Sequence, residues 1–513
     1  MSLAQSAARL PLVSLFDRQV RLSPERVALE HETEQVTYAA LSERATRMAQ
    51  LLRRHGARPG DRIAWLSEND PDCLVLAIAA LRLGLVVATL NTRMAPAELR
   101  HAVELVTPRV TFVSARYREA LHAAQAQAGQ VLSTGAALQK QLQDTPHTLE
   151  GFVEGDAEDP LFIIYTSGTT GHPKGAMLSQ RAMLARLMVY VLDYGVDGGD
   201  TFVAWSPLFH MASIELGLGM LLLGGKVAVM DGLDLPRLCD YLEHESLANL
   251  IFFTGIVDQV LDYLRRRKPK VKRLKKFGAL ADLFAPAHIA ELTALLGVPY
   301  TNTFGSTETG MPPASAGRLS AGEAPFDLAK VQSSLCEIRL VDANDVDVAD
   351  GEPGELLMRG PTLFSGYWNN PQATDEALRG GWYHSGDVFV RDARGRLAFV
   401  DRRKYLIKSG GENIYPAEIE RVVLAHPGVV EATVVKRRDE RWGEVPVLVL
   451  ASRSTDAPDA DELQALCRTA LGRYKVPRDI HFVPPGFLPR NNTGKVVRQE
   501  VEAWVATQPR RMA

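Results

Sequence analysis

The pattern of hydrophobic and polar positions divides the chain into three parts. From about residue 60, short apolar runs alternate with amphipathic segments, and this alternation predicts β-α-β units with a parallel sheet. The same alternation returns between residues 225 and 296. The pattern predicts strands over 62–67, 85–90, 110–114, 225–230 and 250–253, and helices over 71–83, 96–105, 235–243 and 257–266.

After residue 330 the pattern predicts smaller units. Short apolar runs at 337–341, 354–359, 388–390 and 397–400 are separated by turn sequences such as Asp350-Gly351, which indicates a β-rich subdomain. From residue 401, a helix (416–425), a hairpin (429–436 with 446–452), a second helix (461–471) and a strand (480–483) predict a compact α+β domain of ordinary size.

We therefore expect an α/β fold with two domains. The expected N-terminal domain spans residues 1–400, is built on parallel-rich sheets and contains the β-rich subdomain at about 330–400. A hinge at 401–404 would lead to a smaller, mobile α+β domain at 405–513. A chain of 513 residues is too long for one compact core, which agrees with this division.

Composition narrows the class of protein. The net charge of −3, from 58 basic and 61 acidic residues, gives no reason to expect a nucleic acid or an anionic membrane as partner. The cysteines match no metal or redox spacing and favour a reduced compartment; they are Cys73, Cys239, Cys336 and Cys467. The apolar windows 73–90 and 215–230 are broken by charges and glycines, and no signal peptide is recognisable. We expect a cytoplasmic protein with no transmembrane segment; the sequence allows a homodimer without fixing the oligomeric state.

One loop carries the strongest chemical signal. Thr166-Ser-Gly-Thr-Thr-Gly-His-Pro-Lys-Gly175 follows the apolar run 161–165, which predicts a buried strand. Hydroxyl groups, backbone N–H groups and the charge of Lys174 suit a polyphosphate. The loop is not a Walker A sequence, because no Gly-x-x-x-x-Gly-Lys-Ser/Thr occurs in the chain. Taken alone, a loop of this composition is as often a flexible surface linker.

Five further motifs follow in order along the chain. They are Phe209-His210, Asn302-Thr-Phe-Gly-Ser-Thr-Glu308, Trp382-Tyr-His-Ser-Gly-Asp387, the segment from Asp401 to Pro416, and Leu488-Pro-Arg-Asn-Asn-Thr-Gly-Lys495. With the loop, the set resembles the adenylate-forming superfamily over roughly residues 25 to 500, and its acyl-CoA synthetase branch most of all. The resemblance implies that a carboxylic acid attacks ATP to give acyl-AMP and pyrophosphate, and that CoA then displaces AMP. Such chemistry depends on positioning and on neutralising charge.

The resemblance also implies a role for each motif. Residues that would hold the ATP phosphates are Thr166, Ser167, Gly168, Thr169, Thr170, Gly171, Lys174 and Thr307. Glu308 would bind Mg²⁺, while Phe304, Asp387 and Arg402 would contact adenine and ribose. The catalytic residues would be Lys495, which bridges the carboxylate and the α-phosphate, and His210, between the acyl and nucleotide sites. On its own, each of these residues has a simpler interpretation: Thr307-Glu308 as a helix start, His210 as a core residue and Lys495 as a solvated charge.

The resemblance places CoA against the C-terminal domain after that domain rotates. Lys404 would be the hinge residue, and the CoA tunnel would be lined by Ser409, Gly410, Gly411 and Glu412. The acyl pocket would include Met211, Ala212, Ile256, Ala281, Gly305 and Gly310. Because none of these is cationic, a dicarboxylate such as malonate is disfavoured, and an apolar fatty or aromatic acid is expected. Asp282 is the one charge nearby, and the sequence leaves its orientation open.

Two questions stay open from the sequence. Phe304 stands where the superfamily often has tyrosine, the segment 277–282 lacks the usual proline, and 332–336 replaces a glycine-rich turn, so the shapes of the adenine and acyl pockets are not determined. The alternative function is an adenylation enzyme that delivers the acyl group to a separate carrier protein. The lack of an Asp after Phe209-His210 and the 18 residues that follow Lys495 favour the CoA ligase over that alternative.

Overall fold

The computed structural model describes residues 10–148, 151–153, 155–166, 173–409, 412–452, 457–490 and 496–509. Its strands are β1 (Val27–His31), β2 (Glu34–Thr37), β3 (Arg62–Leu66), β4 (Val86–Thr89), β5 (Val110–Val113), β6 (Gln130–Ser133), β7 (Pro160–Thr166), β8 (Lys174–Ser179), β9 (Thr201–Ala204), β10 (Lys226–Val229), β11 (Ser246–Leu247), β12 (Arg273–Leu274), β13 (Tyr300–Ser306), β14 (Gly310–Leu319), β15 (Glu337–Val341), β16 (Pro353–Arg359), β17 (Tyr383–Arg391), β18 (Leu397–Arg402), β19 (Ile407–Ser409), β20 (Glu412–Ile414), β21 (Val429–Asp439), β22 (Gly443–Ser452) and β23 (Asp479–Val483).

Its helices are α1 (Leu12–Leu22), α2 (Tyr38–Arg54), α3 (Asp72–Leu83), α4 (Pro96–Val106), α5 (Arg118–Ala124), α6 (Ala136–Gln143), α7 (Gln180–Tyr194), α8 (Met211–Leu223), α9 (Leu235–His244), α10 (Val257–Arg267), α11 (Pro286–Leu296), α12 (Pro371–Ala377), α13 (Pro416–Leu424), α14 (Ala460–Ala470) and α15 (Arg498–Thr507).

Two six-stranded sheets form the large part of the molecule. The first has the order β6-β5-β3-β4-β7-β8 and is parallel except where β7 and β8 pair antiparallel. The second has the order β12-β11-β9-β10-β1-β2 and is parallel except for β1 and β2. One apolar core contains side chains of both sheets and of helices α3 and α8, and α3 is buried along its whole length. A helix buried on all sides needs a continuous apolar sequence, and residues 73–81 supply one.

Three antiparallel-rich sheets complete the fold. Strands β13 and β14 form a hairpin, and β15-β16-β17-β18 form the four-stranded sheet expected for the β-rich subdomain. The last sheet has the order β20-β19-β22-β21, with β23 parallel to β22, and helices α13 and α14 contribute to its core. The expected fold class, an α/β protein with a large N-terminal part and a small α+β C-terminal part, is confirmed. Where the domain boundaries fall stays a prediction.

Two local predictions were incomplete or wrong. The run 250–253 is not a strand: Leu250 makes a single bridge to Phe277, and a 3₁₀ turn follows at Thr254–Ile256. A short apolar run does not distinguish a strand from other buried backbone. Here Ile251 and Phe252 pack their side chains into a hydrophobic core without pairing in a sheet. The pattern also gave no prediction for α1, β1, β2 and α2, which precede residue 60. Within the described ranges, every helix is too short or too polar to cross a bilayer.

Candidate active site

A lysine, a tyrosine and a glutamate form a chain of contacts at the edge of the first sheet. Thr166 ends β7 and pairs with Lys174 at the start of β8. The Lys174 ammonium lies 4.7 Å from the centroid of the Tyr367 ring. The Tyr367 hydroxyl donates to Glu308 Oε1 at 2.9 Å. The structure therefore brings the end of the hydroxyl-rich loop and the Asn302–Glu308 motif together through Tyr367, which belongs to neither motif.

Backbone pairing places Tyr367 in this position. The segment 365–368 runs along β8: Ser365 N donates to Met177 O, Met177 N to Gly366 O, and Trp368 N to Gly175 O. The amide of Phe364, directly before this segment, donates to Glu308 O at 2.8 Å. Glu308 is thus held by its backbone and by its side chain, and only 8% of its surface is exposed.

Asp387 and Arg402 form an ion pair on adjacent strands. They face each other in the register of β17 and β18, and Arg402 Nε lies 3.1 Å from Asp387 Oδ1. The Asp387 charge raises the pKa of the Arg402 guanidinium, and Glu308 contributes in the same direction. Burial raises the pKa of the Tyr383 hydroxyl, and its neighbours Glu308, Tyr367 and Asp387 raise it further. The second, third and fourth of the five motifs that follow the loop therefore converge around Tyr383.

Phe304 belongs to an aromatic cluster. Its ring stacks on Phe399 at 5.4 Å and meets the edge of Phe389 at 4.8 Å, so β13 is packed against the strands that carry Asp387 and Arg402. The neighbouring Ala281 is fully buried, and its amide donates to the Asn302 side chain at 3.2 Å.

The orientation of Asp282, which the sequence left open, is settled by a buried lysine. Asp282 pairs with Lys330, whose side chain is fully buried. Burial lowers the pKa of Lys330, and the Asp282 charge opposes that effect. The Asp282 charge is therefore compensated inside the protein.

His210 begins helix α8. Its Nδ1 accepts the backbone N–H of Ala212 at 3.2 Å, which caps the helix N-terminus. Met211 is partly buried against the main core, at the first turn of the same helix. Ile256, another residue predicted to line the acyl pocket, ends a 3₁₀ turn. Three residues earlier, the Phe253 ring meets the Trp205 ring edge to face at 5.3 Å.

Gly305 and Gly310 approach each other closely at the closed end of the β13–β14 hairpin, where Gly310 pairs with Ser306 and Gly305 with Pro313. A Cβ at Gly305 would lie 2.0 Å from the carbonyl oxygen of Gly310, so no side chain fits there. Gly310 has a φ of +77°, and a Cβ there would lie 2.9 Å from the side chain of Arg186. Close packing requires both glycines, whatever ligand binds beside them.

The predicted hinge and CoA residues lie around the start of the last sheet. Lys404 is in a 3₁₀ turn, Arg403–Tyr405, and its ammonium lies 4.9 Å from the Tyr405 ring. Ser409 and Glu412 pair across β19 and β20 and line a groove with Trp442, Tyr474 and Arg478. Gly410, Gly411 and Lys495, like Ser167, Gly168, Thr169, Thr170 and Gly171, lie outside the described residues.

Sequence reasoning missed Tyr367 and Arg186. Tyr367 has the size and burial of an ordinary core aromatic, and its link to Glu308 spans 59 positions. Arg186 lies in the amphipathic sequence of α7, where an arginine normally faces water. In the structure it is 1% exposed and donates to Thr307 O at 2.9 Å. No local signal could have identified either residue, since both act through contacts with distant parts of the chain.

The fold and the convergence of these motifs define a class of enzyme that forms acyl adenylates. Residues 16–368 match the AMP-binding enzyme family and residues 418–495 match the AMP-binding enzyme C-terminal domain, and the chain belongs to this family. It is an AMP-forming acyl-CoA ligase, with ATP and CoA as substrates.

Individual relatives are similar in sequence to this chain along nearly their whole length. The chain is 33% identical over 485 residues to a feruloyl-CoA synthase of Amycolatopsis sp, covering 94% of this chain and 97% of the relative. It is 31% identical over 520 residues to the indoleacetate–CoA ligase of Aromatoleum aromaticum, covering 97% and 98%. Among solved structures, ATP-bound MatB from Rhodopseudomonas palustris is similar at 26% identity, with a TM-score of 0.85 and coverage of 96% and 99%.

Proposed function

We propose that this ligase activates an apolar aromatic carboxylic acid and transfers the acyl group to free CoA. In the first half-reaction the acid carboxylate attacks the α-phosphorus of ATP, which forms acyl-AMP and releases pyrophosphate. In the second, the CoA thiol attacks the acyl carbon and AMP leaves. The observation that carries the proposal is the grouping of Lys174, Glu308 and the Asp387–Arg402 pair around Tyr367 and Tyr383.

That grouping suits a nucleotide triphosphate. Lys174 and the hydroxyl-rich loop that ends beside it would neutralise phosphate charge. Asp387, a buried carboxylate, would accept hydrogen bonds from the ribose hydroxyls, and Arg402 would hold it in place. Lys495, from the C-terminal part, would bridge the reacting carboxylate and the α-phosphate, because a compact, flexible ammonium can follow moving oxygens.

Glu308 fits the magnesium ion that accompanies ATP. Tyr367 fixes one carboxylate oxygen, while Oε2 accepts no hydrogen bond within the described part of the chain. Mg²⁺ prefers one or two carboxylates together with substrate phosphates. The described residues contain no cluster of three or more metal-ligating side chains, and such a shared site does not require one. The ion would supply charge neutralisation at the phosphate oxygens.

The surroundings of the predicted acyl pocket favour an apolar substrate. Two of the buried cations that the structure describes near it are already engaged: Lys330 with Asp282, and Arg186 with Glu215. A second carboxylate on the substrate would therefore meet no available positive charge from these two residues. Phe253, 43% exposed and in edge contact with Trp205, offers an aromatic surface near Ile256. Two of the similar relatives are named for feruloyl and indoleacetate groups, both aromatic.

The groove beside Ser409 favours CoA over a carrier protein. Two guanidinium groups lie near the Trp442 ring, that of Arg441 at 4.9 Å and that of Arg478 at 5.3 Å from its centroid. An aromatic face beside positive charge suits a ligand that carries both a purine and phosphates. CoA has these groups, whereas the pantetheine arm of a carrier protein has no purine.

The test is a substrate panel with pyrophosphate release as the signal. Purified protein would receive ATP, Mg²⁺ and each of ferulate, indoleacetate, benzoate, decanoate, hexanoate and malonate, with and without CoA. We expect the highest kcat/KM for an aromatic acid, and mass spectrometry should detect its CoA thioester. Faster turnover of malonate than of every apolar acid would overturn the substrate proposal. Acyl-AMP formation without any thioester would favour a carrier protein as the acceptor.

A further inference from the structure

Among the residues that the structure describes, the largest fully buried side chain is a charged one, Arg186 in α7. Its Nη1 pairs with Oε1 of Glu215, a residue of α8 whose side chain is 4% exposed. Burial raises the pKa of Glu215, and the Arg186 charge opposes that rise. The pair therefore joins the helix that follows the phosphate loop to the helix that begins at His210.

The other donors of Arg186 hold two segments that position Glu308. Nη2 donates to Thr307 O at 2.9 Å, directly before Glu308. Nε donates to Thr362 O at 2.9 Å. Thr362 begins the segment whose Phe364 amide and Tyr367 hydroxyl both bind Glu308. One planar guanidinium thus fixes the Glu308 turn and the segment that orients the Glu308 carboxylate.

Gly310 makes this arrangement possible. A Cβ at position 310 would lie 2.9 Å from Cγ, Cδ and Nε of Arg186, closer than side-chain atoms normally approach. The glycine that was predicted to line the acyl pocket therefore has a separate reason to be there, which is to admit the arginine.

Stability alone does not account for the pair. Replacing a buried ion pair by apolar residues of similar volume is often neutral or stabilising, because two charges must lose their water. What apolar residues cannot replace is the pair of hydrogen bonds to Thr307 O and Thr362 O. These two bonds act on the conformation of the Glu308 turn.

We propose that Arg186, held by Glu215, is a positioning residue that sets Glu308 for the divalent cation of the metal–ATP complex. The inference rests on the proposed role of Glu308 and adds a distant pair of residues that controls it. Arg186 does not touch the substrate in this proposal. It acts through the Thr307 and Thr362 carbonyls.

The decisive variant is the double substitution R186M/E215L, which removes both buried charges and keeps the volume apolar. Binding of Mn²⁺ in the presence of ATP and absence of acid, measured by electron paramagnetic resonance, is the first readout. The Mg²⁺ dependence of ATP–pyrophosphate exchange is the second, and thioester formation from supplied acyl-AMP is the third. We expect the apparent Kd for Mn²⁺ and the half-saturating Mg²⁺ concentration to rise about tenfold or more, as for other groups that orient metal ligands. Thioester formation should stay close to the wild-type rate.

A matched control separates this role from the loss of any buried arginine. Arg82 is also buried, pairs with Asp17 at 3.1 Å and donates to Ser42 O, far along the chain from Glu308. R82M should lower the melting temperature and leave the Mn²⁺ affinity unchanged. R186K keeps a charge for Glu215 and is expected to fold, but one ammonium cannot reproduce the fork of donors, so its Mn²⁺ affinity should also fall.

Wild-type Mn²⁺ affinity in folded R186M/E215L, or in R186K if the double variant does not fold, would overturn the inference. Equal loss of Mn²⁺ affinity in R82M would do the same, since it would indicate a general loss of stability. The proposed function fails on a different observation: no exchange by wild-type protein with any acid of the panel.

Discussion

The hydrogen bond from Tyr367 to Glu308 leads to the sharpest test of the site. The change Tyr367→Phe removes only the hydroxyl. The ring would still lie 4.7 Å from the Lys174 ammonium and still pack on Phe364 at 4.8 Å. Burial and the Glu308 charge both raise the pKa of Tyr367, so the wild-type hydroxyl stays protonated and remains a donor throughout the range of an ordinary assay.

The magnitude follows from the charge of the acceptor. A hydrogen bond to a charged group contributes about 1.5–3 kcal/mol. Glu308 is only 8% exposed, so water can replace little of the lost bond, and the lower end of that range is the minimum loss. About 1.4 kcal/mol corresponds to a tenfold change. We therefore expect kcat/KM for ATP in acyl-AMP formation to fall at least about tenfold in Tyr367→Phe.

The assay separates the two half-reactions. Acyl-AMP formation is followed by ATP–pyrophosphate exchange, and thioester formation is followed from supplied acyl-AMP and CoA. The matched control is Tyr241→Phe, which removes another tyrosine hydroxyl that donates to a carboxylate, that of Glu30, in the second sheet. Equal losses in both half-reactions, or the same loss of exchange in Tyr241→Phe, would refute a role for Tyr367 in holding Glu308 for the nucleotide.

Two further predictions concern the C-terminal part and one buried lysine. Lys495→Ala should abolish ATP–pyrophosphate exchange and spare thioester formation from supplied acyl-AMP, whereas Gly411→Trp should do the reverse; loss of the same half-reaction in both variants would contradict the assigned roles. Burial lowers the pKa of Lys276 from its ordinary 10.5 to about 7. Between these values the unfolded chain binds the additional proton, so stability should rise with pH by up to about 1.4 kcal/mol per unit. Denaturant unfolding from pH 7.5 to 9, followed by tryptophan fluorescence, should show this rise in the wild type and a smaller one in Lys276→Met; parallel pH profiles would be the contrary result.

Residues in contiguous motifs could be predicted from sequence because their chemistry is local. Asp387 follows a glycine in a short strand sequence, and Arg402 lies in the next strand. Their pairing at 3.1 Å follows from the register of two neighbouring antiparallel strands. The same locality explains why the strand–helix alternation between residues 62 and 114 was predicted with the right element types, with boundaries displaced by at most one residue.

Residues that act across the fold could not be predicted. Tyr367 and Arg186 are 59 and 121 positions from the residues they contact at the Glu308 turn. The orientation of Asp282 depended on Lys330, which lies 48 positions away in a loop. The hydrophobic pattern places arginine and lysine on surfaces, because burial of an unpaired charge is unfavourable. Their partners, which make burial tolerable, are known only once the chain is folded.

Contacts around the predicted hinge bear on how readily the C-terminal part could rotate. On the N-terminal side, Arg403 donates to the buried Glu355 at 2.5 Å. Among the described residues, contacts around the hinge include hydrogen bonds from Ala417 N to Asp401 Oδ2 at 2.7 Å and from Arg421 Nη2 to Phe399 O at 3.2 Å, and Arg498 Nη1 lies 4.0 Å from Asp401 Oδ2.

Each spanning hydrogen bond has a net value of about 1 kcal/mol, since water replaces it on opening. A small apolar contact of Tyr415 with Val388 and Val400 adds a comparable amount. The arrangement seen here is therefore favoured by only a few kcal/mol through these contacts. A ligand that prefers one of two arrangements by about 5.5 kcal/mol can convert a population from 1:99 to 99:1. If the C-terminal part rotates as the resemblance implies, a preference of this size between ATP and acyl-AMP with CoA would select the arrangement for each half-reaction.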